Sequence, residues 1–164
     1  MRLHKGDVLF RQGDRGPLYH LREGMLKIVR LHPDGGVVLL NLIIPGEVIP
    51  HHSLLSPNDY HGTAVALVES EVDVLPAADW YRQLEEEPVR YKQAAEVLQS
   101  RLRMMQQRMD SLTAPLPADR LRLFREWFSR YIRDTDVTDV LNQEEVGQWI
   151  GLRRETVNRL LRKG

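Results

Sequence analysis

The chain holds 164 residues, 42% of them apolar, which suits one ordinary domain plus a smaller one and a core large enough to fold without covalent staples. There is no cysteine, so structural disulfides, thiolate zinc sites, cysteine-ligated iron–sulfur clusters and thiol redox switches are excluded. The formal net charge is zero, but seven acids and one base fall within residues 69–88, ten bases and four acids within 89–133, and five bases with only Glu155 within 153–164. An acidic seam followed by basic helices is the footprint expected when one end of a molecule meets a polyanion, although most single charges of this kind only solvate a helix face. Met1 to Asp7 carries no apolar stretch of signal-peptide length and no run reaches transmembrane length, so a soluble, cytoplasmic protein without membrane contact is expected.

Residues 1 to about 80 read as strands and turns. Apolar or alternating runs at 8–10, 18–21, 25–29, 37–44, 64–68 and 72–75 are separated by Gly6-Asp7, Gly13-Asp14, Glu23-Gly24, Pro33-Asp34-Gly35-Gly36 and Pro45-Gly46. Short strands punctuated at near-regular spacing suggest a sandwich or roll. Asp34-Gly35 gives the best hairpin signal, between 28–31 and 37–40, because these residues tolerate the positive φ of tight hairpins. The period then changes. Residues 77–84 predict a short helix ending before Pro88. From 89 to 112 the apolar positions Tyr91, Ala94, Leu98, Leu102, Met105, Met109 and Leu112 fall three or four apart, one stripe on a helix of about six turns. One small β-domain does not easily cover a helix of that length, so a second copy of it is the natural cover. Pro115 and Pro117 break the helix and mark a hinge. Residues 118–132 predict a further amphipathic helix with Leu121, Phe124, Trp127, Phe128 and Tyr131 inward, followed by an acidic turn at 134–139.

The most specific signal spans 142–161. Asn142 with Glu145 three residues on is a capping-box helix start. Val146 and Ile150 give that helix an inward face, Gly147 is small where two helices must cross closely, and Gly151 supplies a turn that needs a left-handed residue. Leu152, Val157, Leu160 and Leu161 would bury the second helix's inner side, leaving Arg153, Arg154, Glu155, Asn158, Arg159 and Arg162 for solvent or DNA. Two short helices meeting at a glycine, the second with a basic, hydrogen-bonding outer face, is helix-turn-helix logic; the plain alternative is a helical hairpin with a solvated arginine face.

The run Gly151-Leu152-Arg153-Arg154-Glu155-Thr156-Val157-Asn158-Arg159 resembles the recognition element of the Crp/Fnr superfamily of regulators. The resemblance covers essentially the whole chain, since the glycine-punctuated strands resemble that family's cyclic-nucleotide-binding-type β-roll and residues 89–112 its dimer helix. It implies an α+β fold: an N-terminal antiparallel β-roll or jelly-roll over 1–88, a dimerisation helix and hinge over 89–114, and a helix-turn-helix DNA-binding domain over 115–164. It also implies a homodimer on a pseudo-palindromic double-stranded DNA site, with RNA polymerase as a further partner. Residues corresponding to Arg154, Glu155 and Arg159 contact bases in that family. The chemistry agrees, because Arg grips guanine O6 and N7 in a bidentate fork and Glu accepts from cytosine N4. Thr156 and Asn158 suit phosphate or sugar, which positions without specifying, and Arg153 completes the basic set. Members of the family continue into a β-hairpin wing, whereas this sequence ends at Gly164: it is either a truncated product or a wingless protein, and missing wing contacts would weaken DNA binding first at high salt.

In relatives that bind cyclic AMP, a Gly-Glu segment on a short helix holds the ribose, and an Arg before Ser/Thr-Ala grips the phosphate. Here Pro50-His51 stand in place of the Gly-Glu, and Gly62 precedes Thr63-Ala64 where the Arg would be. A buried phosphate without its Arg loses its main charge partner, so cyclic-AMP binding in the standard mode is not expected. Glu47, on the preceding turn, is not a substitute for the ribose carboxylate. His51, His52 and His61 read as solvated loop histidines, since neighbours in a strand point to opposite faces, and His4, His20 and His32 offer no ligand spacing. No effector residue, metal site or cofactor is assigned. With no nucleophile–base pair, Walker loop or dinucleotide fingerprint, an enzyme is not expected. The alternative from another class is a small-ligand or partner-binding β-roll whose C-terminal helices mediate protein contacts.

Overall fold

Alternation of apolar and polar residues produces eight strands: β1 (Arg2–Leu3), β2 (Val8–Phe10), β3 (Leu18–Glu23), β4 (Leu26–Leu31), β5 (Val37–Ile43), β6 (Val48–Ile49), β7 (Thr63–Ala66) and β8 (Ser70–Leu75). A computed structural model describes residues 1–163; Gly164 lies outside the described residues. The strands form two four-stranded sheets, in the orders β1-β8-β3-β6 and β2-β7-β4-β5. Every pairing is antiparallel. Inward residues of both sheets, among them Leu21, Leu26, Ile43, Ile49, Ala64 and Val72, bury one core between them.

The predicted hairpin is present. β4 and β5 pair with Leu31 opposite Val37, and Gly35 takes φ +87° in the loop between them. The ladder slips between Ile28 and Val29, so that Ile28 faces Asn41 while Val29 faces Leu39. Leu40 is thereby the extra residue of a β-bulge, and its carbonyl leaves the ladder. At the β3–β4 turn Gly24 has φ +90°, and a Cβ there would lie 2.7 Å from Ser70 Cα. Only glycine meets both conditions.

Among the described residues six α-helices follow: α1 (Ala77–Glu86), α2 (Pro88–Leu112), α3 (Pro117–Ser129), α4 (Val137–Val140), α5 (Gln143–Ile150) and α6 (Arg154–Lys163). Pro88 and Pro117 sit in the first turns of α2 and α3, where a missing N–H costs nothing. Three sequence expectations are corrected. Ala94 does not belong to the exposed stripe of α2; it is 4% exposed and faces its own domain, as does Arg101, while Leu102, Met105 and Met109 point outward. Tyr131 is exposed and lies beyond the end of α3, and Ile132 takes the inward place. The acidic stretch 134–139 is not only a turn, because Asp136 and Asp139 form a capping box that starts α4.

A second core joins helices to strands. Phe124, Phe128, Trp149, Ile150 and Val157 pack in one buried cluster with Met25, Leu39 and Leu42. Gln148 on α5 bridges the outer edge of β5, accepting from Leu39 N at 2.6 Å and donating to Val37 O at 3.2 Å. Lys27 on β4 pairs with Glu145 at 2.6 Å, both side chains largely buried. The C-terminal helices thus cap a sheet edge that would otherwise be unpaired. Among the described residues no helix is long and apolar enough to cross a membrane.

Candidate nucleic-acid interface

The turn between α5 and α6 is fixed by its own sequence. The Asn142 side chain accepts from Glu145 N at 2.8 Å, and the Glu145 carboxylate accepts from Asn142 N at 3.0 Å, closing the predicted capping box. Gly151 ends α5 at φ 68°, ψ 38°, with its N–H on the Gly147 carbonyl, and Leu152 N donates to the same oxygen at 2.9 Å. The closeness expected at Gly147 is real but of a different kind. A Cβ there would strike the Leu152 carbonyl oxygen, with Val157 Cγ2 at 3.6 Å, so the tight approach is to the turn as much as to α6. Arg120 on α3 secures the turn from outside, donating to Ala114 O at 2.7 Å and Gly151 O at 3.4 Å.

On α6, Val157 is fully buried, and Leu152, Leu160 and Leu161 pack partly buried against the same cluster. Arg153, Arg154, Glu155 and Arg159 are exposed; Thr156 and Asn158 are half-buried. At about 100° per residue, Arg154, Glu155, Asn158, Arg159 and Arg162 occupy one arc of roughly 140°. None of these side chains makes a hydrogen bond or ion pair among the described residues. Some arginines elsewhere on the surface do, Arg122 with Asp119 and Glu126 and Arg125 with Asp136 at 3.0 Å, while exposed Arg11, Arg103, Arg130 and Arg133 are, like those of α6, without a side-chain partner among the described residues. The α6 face therefore presents free donors and one free carboxylate on a rigid, buried-side-anchored helix, which suits insertion into a groove lined with phosphates and base edges.

The region corresponding to the family's nucleotide pocket is built differently from the sequence expectation. Residues His51–Ser53 form a 3-10 turn rather than a strand. His51 is not a solvated histidine: its side chain is largely buried, with Nε2 3.2 Å from Glu47 Oε1. His52 and His61 are exposed, their rings 6.0 Å apart. Burial pushes the His61 imidazole below its usual pKa, with the Arg30 charge adding to the shift. Among the described residues no group of three or more His, Cys, Asp or Glu is placed to hold a metal. Gly62 is confined, since a Cβ there would lie 2.7 Å from Ile28 Cγ2 and 2.8 Å from Val29 O.

One constellation was not foreseen from the sequence. Arg101 of α2 donates to Glu47 Oε1 at 3.1 Å and to Leu42 O at 3.4 Å, while Ile44 N donates to Glu47 Oε2 at 2.9 Å. Burial alone would raise the Glu47 pKa; the His51 and Arg101 partners outweigh it and hold the carboxyl below its usual value. Arg108 donates to the bulge carbonyl of Leu40 at 2.9 Å and stacks 3.8 Å over the Trp149 ring. An arginine in a basic helix reads as solvated, and only its register on α2 against β5 reveals otherwise.

Comparison with known proteins agrees with this architecture. Residues 1–87 match the cyclic nucleotide-binding domain family. The chain is 28% identical over 163 residues to a CRP-like cAMP-activated global transcriptional regulator of Mycobacterium tuberculosis, covering 96% of this chain and 73% of that protein. It is likewise 28% identical over 163 residues to the cyclic AMP receptor protein of Thermus thermophilus, covering 96% and 72%. A solved CRP-family transcriptional regulator from Thermus thermophilus superposes with a TM-score of 0.80 at 22% identity, over 99% of this chain and 83% of that one, and so shares the fold. With residues 1–87 matching that family and nearly the whole chain aligning with CRP-type regulators, the chain belongs to the cyclic nucleotide-binding domain family, in its CRP/FNR group of transcriptional regulators.

Proposed function

We propose that this chain is a sequence-specific DNA-binding transcription regulator that acts as a homodimer, with α6 as recognition helix in the major groove and without dependence on cyclic AMP. The observation that carries the reading is the outward arc of α6, with Arg154, Glu155 and Arg159 exposed, Asn158 half-buried and all four side chains unpaired among the described residues, flanked by exposed Arg153 just before the helix and half-buried Thr156. Arg154 and Arg159 would take guanine edges, Glu155 a cytosine amine, and Arg153, Thr156 and Asn158 the backbone. In this scheme residues 1–88 sense, 89–114 dimerise and bend, and 115–164 read DNA.

The dimer is supported by the outer stripe of α2, where Leu102, Met105 and Met109 are 56%, 57% and 59% exposed in the single chain. Together with Tyr91, Leu98 and Leu112 they repeat with heptad spacing, the pattern two copies bury against each other. Independence from cyclic AMP is supported by Gly62, whose confined backbone has no space for a phosphate-gripping side chain, and by Glu47, already engaged by Arg101. The relatives named for cyclic AMP share the architecture; the ligand in their names does not follow from it. The experiment is a gel shift against random duplexes with wild type, Arg154→Ala and Arg159→Ala. A sequence-selective shift that each substitution weakens by about 5- to 150-fold, the equivalent of roughly 1–3 kcal/mol, is expected. No selective shift, or one unchanged in both variants, rejects the reading.

A further inference from the structure

One side chain joins the end of α2 to the turn that launches α6. Arg120, half-buried near the start of α3, donates from Nε to Ala114 O at 2.7 Å and from a terminal nitrogen to Gly151 O at 3.4 Å. Among the described residues no other hydrogen bond reaches either oxygen. Ala114 lies just beyond the end of α2, and Gly151 is the left-handed C-cap of α5. Both oxygens therefore sit at the C-terminal end of a helix, where the dipole presents its negative charge and a cation is stabilising. One guanidinium answers two such ends at once. Asp119 beside it pairs with Arg122 instead, and Arg120 has no acidic partner among the described residues.

The junction is close-packed as well as polar. A Cβ on Gly151 would lie 3.1 Å from Leu112 Cδ2 and 3.6 Å from the Arg120 terminal nitrogen. The last residue of α2, the guanidinium and the turn glycine thus meet in one place. Pro115 and Pro117 fix two of the φ angles between Ala114 and α3, so few soft dihedrals remain between α2 and α3. Arg120 closes what freedom is left, reaching back to the hinge and forward to a turn only three residues ahead of Arg154, where α6 begins. Arginine suits this bridge better than lysine, because its rigid planar fork serves two oxygens together while an ammonium on a flexible stem is a single point of charge.

We propose that Arg120 is a positioning residue for DNA reading: its bridge sets the angle between α2 and the α5–α6 turn, and with it the half-site spacing that the dimer accepts. The inference rests on the dimeric DNA-reading role proposed above and adds the residue that fixes its reach. The lever is long enough to matter. With α3 roughly 20 Å long, a tilt of about 10° moves its far end by about 3.5 Å, close to the ~3.4 Å step of one base pair. In a two-fold dimer both recognition helices take the same tilt, so their separation changes by the combined shift. Arg120 itself needs to touch no base, so the preference within each half-site stays with α6.

The test uses the palindrome that wild type selects from a random library, remade with its centre one base pair shorter or longer. Full-length wild type, Arg120→Met and Arg122→Met, each checked for folding by circular dichroism, are titrated on the three duplexes and on a series of single base changes in one half-site. Wild type and Arg122→Met should lose about tenfold or more in affinity when the spacing changes, whereas Arg120→Met should lose less than about threefold. The order of base preference within the half-site should be the same in all three proteins. A folded Arg120→Met protein as strict about spacing as wild type overturns the inference. So does an altered base preference in that variant, or spacing relaxed equally by Arg122→Met. Where Arg120→Met does not fold, Arg120→Lys, which keeps the charge without the fork, is held to the same ratios. A wild type that selects no duplex rejects the DNA-reading role itself, a failure distinct from strict spacing in the variant, and the inference falls with it.

Discussion

Gly147 shows how a single residue can set the angle between two helices. The backbone of the α5–α6 turn passes so close that a methyl group would displace the Leu152 carbonyl. Gly147→Ala is therefore expected to destabilise the C-terminal helices by about 1–3 kcal/mol, the usual penalty for forcing a group into filled space. Thermal unfolding should show it as a drop of several degrees, at roughly 2–4 °C per kcal/mol for a chain of this size. An unchanged midpoint would mean that the turn relaxes freely. Gly151 and the Asn142–Glu145 box were legible in the sequence because each is a local device with its own spacing. Arg101 and Arg108 were not. Their partners Glu47, Leu40 and Trp149 lie far away in sequence, and nothing local separates a buried arginine from a solvated one.

At the scale of elements, α2 has two working faces, and the sequence offered only one of them. Its apolar stripe was legible by period. The opposite face, with Ala94, Arg101, Met104 and Arg108, mixes small, charged and thioether side chains and carries no hydrophobic signature, although it seats the helix on the β-roll. Ala94 was misassigned for this reason: alanine fits either face, and Ala95 beside it is the exposed one. The bulge at Leu40 was equally invisible, because strand composition does not reveal which residue drops out of register. The exposed stripe yields a direct expectation. Leu102→Glu with Met109→Glu places charges in the proposed seam, where each buried apolar side chain contributes about 1.5–3 kcal/mol. Sedimentation equilibrium should show a dimer for wild type and a folded monomer for the double variant. A dimer that persists in the variant would place the seam elsewhere.

Over the whole molecule, the β-roll and the order of helices could be read from turn glycines and from the change of hydrophobic period. What could not be read is how the parts are joined. Gln148 completes the edge of β5, Lys27 meets Glu145, and Phe124 and Trp149 share one cluster with Leu39 and Leu42. These are contacts between residues roughly a hundred positions apart, which only the tertiary arrangement creates. They leave the α6 arginines facing outward while anchoring the helix behind them, and on that arrangement the account of function depends. In-vitro selection from a random duplex library, run with wild type and Arg159→Ala, tests it most directly. Wild type should enrich two inverted half-sites about one helical turn apart, and Arg159→Ala should lose base preference at one position in each half-site while keeping the spacing. Enrichment of no motif by wild type, or an identical motif from both proteins, would contradict it.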